Sequence, residues 1–144
     1  YKIGTELQNQ ILKDFFGTWV DEVETRETIG DVYNNYGYVM DPHTAVAYKA
    51  MEKYRLMTGD ETYSIVLSTA SPFKFNDVVL ASIDPDTYEG KELDPFVAME
   101  DLSRLAKLPI PASTQELPKP QRRQSDVVDK TQLEAEVKKL LGLK

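Results

Sequence analysis

Apolar residues recur at helical spacing along most of the chain, and the breaks between the runs hold residues that start and stop helices. Leu7, Ile11, Leu12, Phe15 and Phe16 trace one face, with Thr5 as its cap. Gly17-Thr18-Trp19 interrupts. Asp21, followed three residues later by Glu24, is a capping-box pattern. Ile29, Val32, Tyr33 and Tyr36 then share a face up to Gly37, a natural stop. The next helix opens at Asp41-Pro42, buries Val46, Ala47, Ala50, Met51 and Tyr54, and ends at Gly59. Tyr63 to Leu67 is short and β-rich, the pattern of a strand buried on both faces of a parallel sheet.

Ser71-Pro72 predicts another helix start, with Phe75, Val78, Val79 and Ile83 inward. A loop follows around Asp84-Pro85-Asp86. Asp94-Pro95 opens a helix that turns Met99, Leu102, Leu105 and Ala106 to the core. Pro109, Pro111, Pro118 and Pro120 make residues 109–124 an extended connector. Ser125 to Val128 reads as a second short strand. Asp129, with Gln132 three residues on, caps a last helix through Leu133, Val137, Leu140 and Leu141.

About six helices beside one firm strand is an odd inventory, because a strand with two apolar faces needs neighbours. Either the fold is mainly helical with a token strand, or the rest of the sheet lies on sequence outside this chain. The expected class is α/β: mostly helical, with one or two strands belonging to a larger, largely parallel sheet. Residues 1–108 would form the C-terminal part of the α/β domain, and 109–144 a proline-rich connector and terminal helix.

The 144 residues suit one domain, and 41% hydrophobic with 28% charged residues is an ordinary globular composition. A net charge of -7 argues against nucleic acid or an anionic membrane as partner. There is no run of about 18 apolar residues of the kind that spans a bilayer. No secretory signal is visible, and a cytoplasmic location is expected. The chain opens at Tyr1 rather than Met, which reads as a fragment or processed piece. With no cysteine, disulfides, thiolate catalysis and thiolate metal sites are excluded.

The residues that could carry chemistry sit at two turns. His43 is the single histidine, so a multi-histidine metal site cannot be built. It is either a polar first-turn residue or a pocket-lining one. Asp41 is an N-cap in the first instance, and Thr44 either bonds back to it or faces a pocket. Ser68 and Thr69 directly follow the expected strand. They are turn hydroxyls, or ligand hydroxyls at a sheet's carboxyl edge. No base adjoins them in sequence, so a serine-hydrolase reading is poor. Lys74 reads as a solvated lysine. Glu22, Glu24, Glu27, Asp84 and Asp86 match neither a calcium loop nor a paired acid–base site.

Two motifs in order carry a resemblance. Gly37-Tyr38-Val39-Met40-Asp41-Pro42-His43-Thr44-Ala45-Val46 and Ile65-Val66-Leu67-Ser68-Thr69-Ala70-Ser71-Pro72-Phe73-Lys74-Phe75 resemble the C-terminal part of threonine synthases. The likeness extends from the acidic segment after Trp19 to Pro109 through Asp129. It implies a parent enzyme that uses pyridoxal phosphate to convert O-phospho-L-homoserine and water to L-threonine and phosphate. It further implies that Thr69, or failing it Ser68, hydrogen-bonds the pyridine nitrogen, and that Asp41, His43 and Thr44 line the same pocket. The family's Schiff-base lysine and Gly-rich phosphate loop match nothing in these 144 residues. They, and most groups that bind the small-molecule substrate, would come from an N-terminal part of the same enzyme, and the chain alone would be inactive. The family usually has His where Ser71 stands and Ala where Phe73 stands. That difference keeps a phospho-lyase that forms no threonine as an alternative. A stand-alone helical interaction module without cofactor is the alternative from another class.

Overall fold

The computed structural model describes residues 2–116 and 127–143. Its helices are α1 (Thr5–Asp14), α2 (Glu22–Tyr36), α3 (Pro42–Thr58), α4 (Asn76–Ile83), α5 (Pro85–Tyr88), α6 (Pro95–Ala106), α7 (Ala112–Gln115) and α8 (Leu133–Leu140). Single 3-10 turns at Pro72–Lys74 and Lys130–Gln132 precede α4 and α8.

The helix ends are set locally. Asp21 accepts from Glu24 N–H at 2.8 Å while Glu24 reaches back to Asp21 N–H at 3.2 Å, a closed capping box. Asp41 and Asp94 cap α3 and α6, each ahead of a proline whose missing N–H is lost at no cost. Gly37 and Gly59 end α2 and α3 in the left-handed conformation, where a Cβ would be strained. At α1 the cap position is Gly4 rather than Thr5.

One core joins α2, α4 and α6 with the loop ahead of α3. Ile29, Val32, Val39, Met40, Ala45, Phe73, Val79, Leu80, Ala98, Met99 and Leu102 are buried there. Thr25 and Thr28 are buried too; each hydroxyl donates to the carbonyl four residues back, which removes the cost of burying it. Gly30 lets α2 approach α4 closely: a Cβ there would lie 2.6 Å from the Ser82 carbonyl oxygen.

The α/β expectation is overturned. No strand occurs among the described residues. Residues 63–67 are non-helical and unladdered, with Tyr63, Ile65 and Leu67 exposed. The strand expected there does not form: a ladder needs a second strand, and no described segment supplies one. Of the second expected strand, Ser125 and Asp126 lie outside the described residues, as do Pro118 and Pro120; Val127 and Val128 are not in a strand. The expected loop at Asp84-Pro85-Asp86 instead starts the short helix α5, with Asp84 as its cap.

Apolar faces of several elements stay exposed among the described residues. Leu7, Ile11, Leu12, Phe15 and Phe16 around α1 are exposed, as are Leu133, Val137, Leu140 and Leu141 at α8. On α3, Val46 and Ala47 are exposed and Ala50, Met51 and Tyr54 half-buried. The burial expected of that face is not found: Ala47, Ala50, Met51 and Tyr54 line an open groove. No helix among the described residues is long and apolar enough to cross a membrane.

Candidate functional site

The groove lies between α3, the segment at 64–69 and the arm that follows α1. Its volume is about 710 Å3, and Phe16, Ala47, Met51, Tyr54, Ile65 and Thr69 are among its walls. Phe16 meets Tyr54 edge-on with ring centroids 5.2 Å apart. Lys53 holds the arm by donating to the Trp19 carbonyl at 2.9 Å and to the Glu24 carboxylate at 2.7 Å. That bond to Lys53 is the main reason why the Glu24 pKa is lowered. On the far side, Arg55 donates to the Thr62 carbonyl at 2.9 Å, which ties the 60–64 loop to α3.

At the groove's rim the start of α3 forms a polar cluster. Asp41 is 1% exposed. Its Oδ1 accepts from His43 N–H at 2.9 Å and Thr44 N–H at 3.3 Å, and its Oδ2 accepts from the Thr44 hydroxyl. Burial raises the Asp41 pKa, but the bonds from the Thr44 hydroxyl, the two N–H groups and the His43 ring together outweigh it. The carboxyl therefore ionises below its ordinary value.

The Thr44 and Ser68 hydroxyl oxygens are 3.3 Å apart. Thr44 has one hydroxyl proton, and the carboxylate takes it, so Ser68 donates to Thr44. The Ser68 proton is thereby spent inside the protein. Thr69 lines the groove, and no hydrogen-bond partner engages its hydroxyl among the described residues. His43 lies between this groove and a second recess lined by Glu22, Thr25, Val46, Phe75 and Val78. Its Nδ1 is 3.4 Å from Asp41 Oδ1, and its ring leans on Phe75 with centroids 5.0 Å apart.

Of the residues singled out from sequence, Asp41 thus bonds His43 and Thr44, Thr44 meets Ser68, and Thr69 follows Ser68 on the groove wall. Sequence reasoning missed Phe16, Tyr54 and Phe75 as walls. Phe75 lay inside the second motif and could have been found; Phe16 carried only a helical-face signal. Ser71 caps the turn at Pro72–Lys74 by accepting from Phe73 N–H at 3.3 Å. Lys74 is exposed. Among the described residues no three His, Asp or Glu side chains gather as a metal site.

The family model for the C-terminal region of threonine synthase matches residues 44–140. The threonine synthase of Saccharomyces cerevisiae is 37% identical over 101 residues, 67% of this chain and 19% of that protein. The Escherichia coli threonine synthase is 33% identical over 99 residues, 69% of this chain and 20% of that protein. The human protein named threonine synthase-like 1 is 29% identical over 84 residues, 58% of this chain and 11% of that protein. The matched region is thus a fifth or less of each of these relatives. With the family match covering more than half of its length, the chain belongs to the threonine synthase family, of which it represents the C-terminal region.

Proposed function

We propose that this chain is the C-terminal part of a pyridoxal-phosphate enzyme that converts O-phospho-L-homoserine and water to L-threonine and phosphate. The observation that carries the reading is the polar cluster where the two family motifs meet: Asp41, Thr44 and Ser68 bonded in series, with His43 and Thr69 on the groove wall. The donor set suits the cofactor's ring. A pyridine nitrogen offers a lone pair and takes one donor, and Thr69 has an unspent O–H at the groove wall, whereas the Ser68 proton is committed to Thr44. Pyridoxal phosphate, when bound, supplies the electron sink for chemistry at the substrate's carbon atoms.

This chain's own contribution is positional. Thr69 would hold the ring nitrogen with a neutral hydroxyl, which moderates how strongly the ring withdraws electrons. Ser68 and Thr44 fix that turn against α3. Ala47, Met51 and Ile65 give the groove apolar walls beside it. The lysine linkage, the phosphate loop and most substrate contacts would come from an N-terminal part of the same protein. A cytoplasmic location is part of this reading.

Ser71 favours keeping the second reading, a phospho-lyase that releases phosphate without making threonine. Its hydroxyl caps a turn where the family usually carries an imidazole. Supplying O-phospho-L-homoserine to the full-length, cofactor-loaded protein separates the readings. Equal yields of phosphate and threonine support the synthase. Phosphate without threonine supports the lyase. Absence of both, with no cofactor bound, leaves an interaction module.

A further inference from the structure

We infer that Asp41 and His43 form an oriented acid–base pair at the groove. Asp41 holds the Nδ1–H edge of the imidazole, and His43 presents Nε2 to exchange a proton with a small-molecule ligand there. This deepens the proposed function and rests on it for the identity of the ligand, a phosphorylated amino acid. The pairing itself rests on the geometry alone.

Three observations meet at this pair. The Asp41 side chain is 0% exposed, yet its carboxylate lies 3.4 Å from Nδ1 of His43, whose side chain is 63% exposed. A buried carboxylate facing one ring nitrogen favours the tautomer with the proton on that nitrogen. The other nitrogen, on the opposite edge of the ring, is then a free acceptor. One face of the ring also leans on Phe75, with centroids 5.0 Å apart and an interplanar angle of 54°. Finally, its position is at the wall shared by both recesses, one of which also holds Asp14 and Tyr54 and the other Glu22.

An N-cap alone does not require this arrangement. The cap needs only the bonds from the His43 and Thr44 N–H groups, and most residue types could then follow the proline. The carboxylate's reach to the ring adds a restraint that serves the imidazole rather than the helix. Asp41 is the positioning residue and His43 the group that meets the ligand. The proton balance is simple: Nε2 takes one proton from a ligand O–H or N–H, the ring becomes imidazolium, and the same proton returns when the ligand needs it.

Because His43 is the only histidine of the 144 residues, histidine-labelled protein gives one pair of ring 15N signals. In the neutral ring the signals should identify the Nδ1–H tautomer. Asp41→Ser keeps a good cap but removes the carboxylate, and should shift the ring toward the Nε2–H tautomer with the fold intact by circular dichroism. A ring already in the Nε2–H form, or one unmoved by Asp41→Ser, overturns the pair. In the full-length enzyme, His43→Gln should then lower kcat about a hundredfold, the low end for a positioned acid–base group, with cofactor absorbance unchanged. Asp41→Ser should lower it roughly three- to tenfold, the worth of one oriented hydrogen bond. Full activity in His43→Gln sinks the inference even if the tautomer is as stated. A wild-type enzyme with no activity on O-phospho-L-homoserine sinks the proposed function, and the tautomer measurement still judges the pair.

Discussion

The Thr44 and Ser68 hydroxyls, 24 positions apart in sequence, meet at 3.3 Å and join the first turn of α3 to the segment that ends at Thr69. Thr44 is 3% exposed and gives its proton to Asp41. Thr44→Val keeps the shape and removes the hydroxyl. It leaves a buried carboxylate short of one donor and leaves Ser68 without its acceptor. The expected loss is about 1–3 kcal/mol, the range for unmaking a buried hydrogen bond, read as a lower urea midpoint at unchanged slope. An unchanged midpoint would mean that water replaces the hydroxyl.

Asp41 carries a pH signature. Its carboxyl ionises below the ordinary value of 3.8 because the bonds that it accepts outweigh its burial. A group whose pKa is lower in the folded state adds stability above its unfolded value, and that stability is lost as pH falls through the folded value. Asp41→Ala should therefore cost about 1 kcal/mol near neutral pH, the usual worth of a cap, and its gap to wild type should shrink below about pH 4. Urea melts of both proteins at pH 7 and pH 3 test this. A gap that stays constant would show that the carboxylate's charge contributes nothing.

What was legible in the sequence follows the range of the interactions. Asp21, Asp41 and Asp94 were readable as caps, and Gly37 and Gly59 as stops, because each bonds within four residues of itself. Ala47, Met51 and Tyr54 were readable as one apolar face, but periodicity does not say what lies opposite, and the answer is the groove. Tyr63 to Leu67 has the composition of a strand, yet strand formation depends on a partner elsewhere in the chain, so composition alone misled. Thr25 and Thr28 do not look like core residues until their hydroxyls are seen to bond back along α2. At the site, both motif turns were readable separately. The Thr44–Ser68 contact that unites them is a property of the folded chain.

Gly30 tests the packing of α2 on α4. In an exposed helix interior, Gly→Ala stabilises by about 1 kcal/mol. Here the new Cβ would stand 2.6 Å from the Ser82 carbonyl oxygen, a backbone atom that cannot rotate away. The helices would have to separate. Gly30→Ala should therefore destabilise by roughly 1–3 kcal/mol despite its propensity gain. Thermal unfolding measures this directly, and a raised Tm would show that α2 and α4 are less tightly apposed.

Thr69 and Ser68 make opposite predictions for the full-length enzyme. The Thr69 hydroxyl is unspent and on the groove wall; that of Ser68 is used against Thr44. If the ring nitrogen of the cofactor bonds Thr69, Thr69→Ala removes one neutral hydrogen bond worth about 0.5–1.5 kcal/mol. Turnover should fall roughly three- to tenfold, and further if the ring tilts. Cofactor affinity should drop only modestly, because its phosphate and lysine linkage would be held by the N-terminal part. Ser68→Ala should lower stability, through the lost tie to α3, more than it lowers turnover. The discriminating measurement is kcat beside the urea midpoint for both variants. A crippled Ser68→Ala with a silent Thr69→Ala moves the ring contact back by one residue. Silence in kcat from both removes this turn from the cofactor altogether.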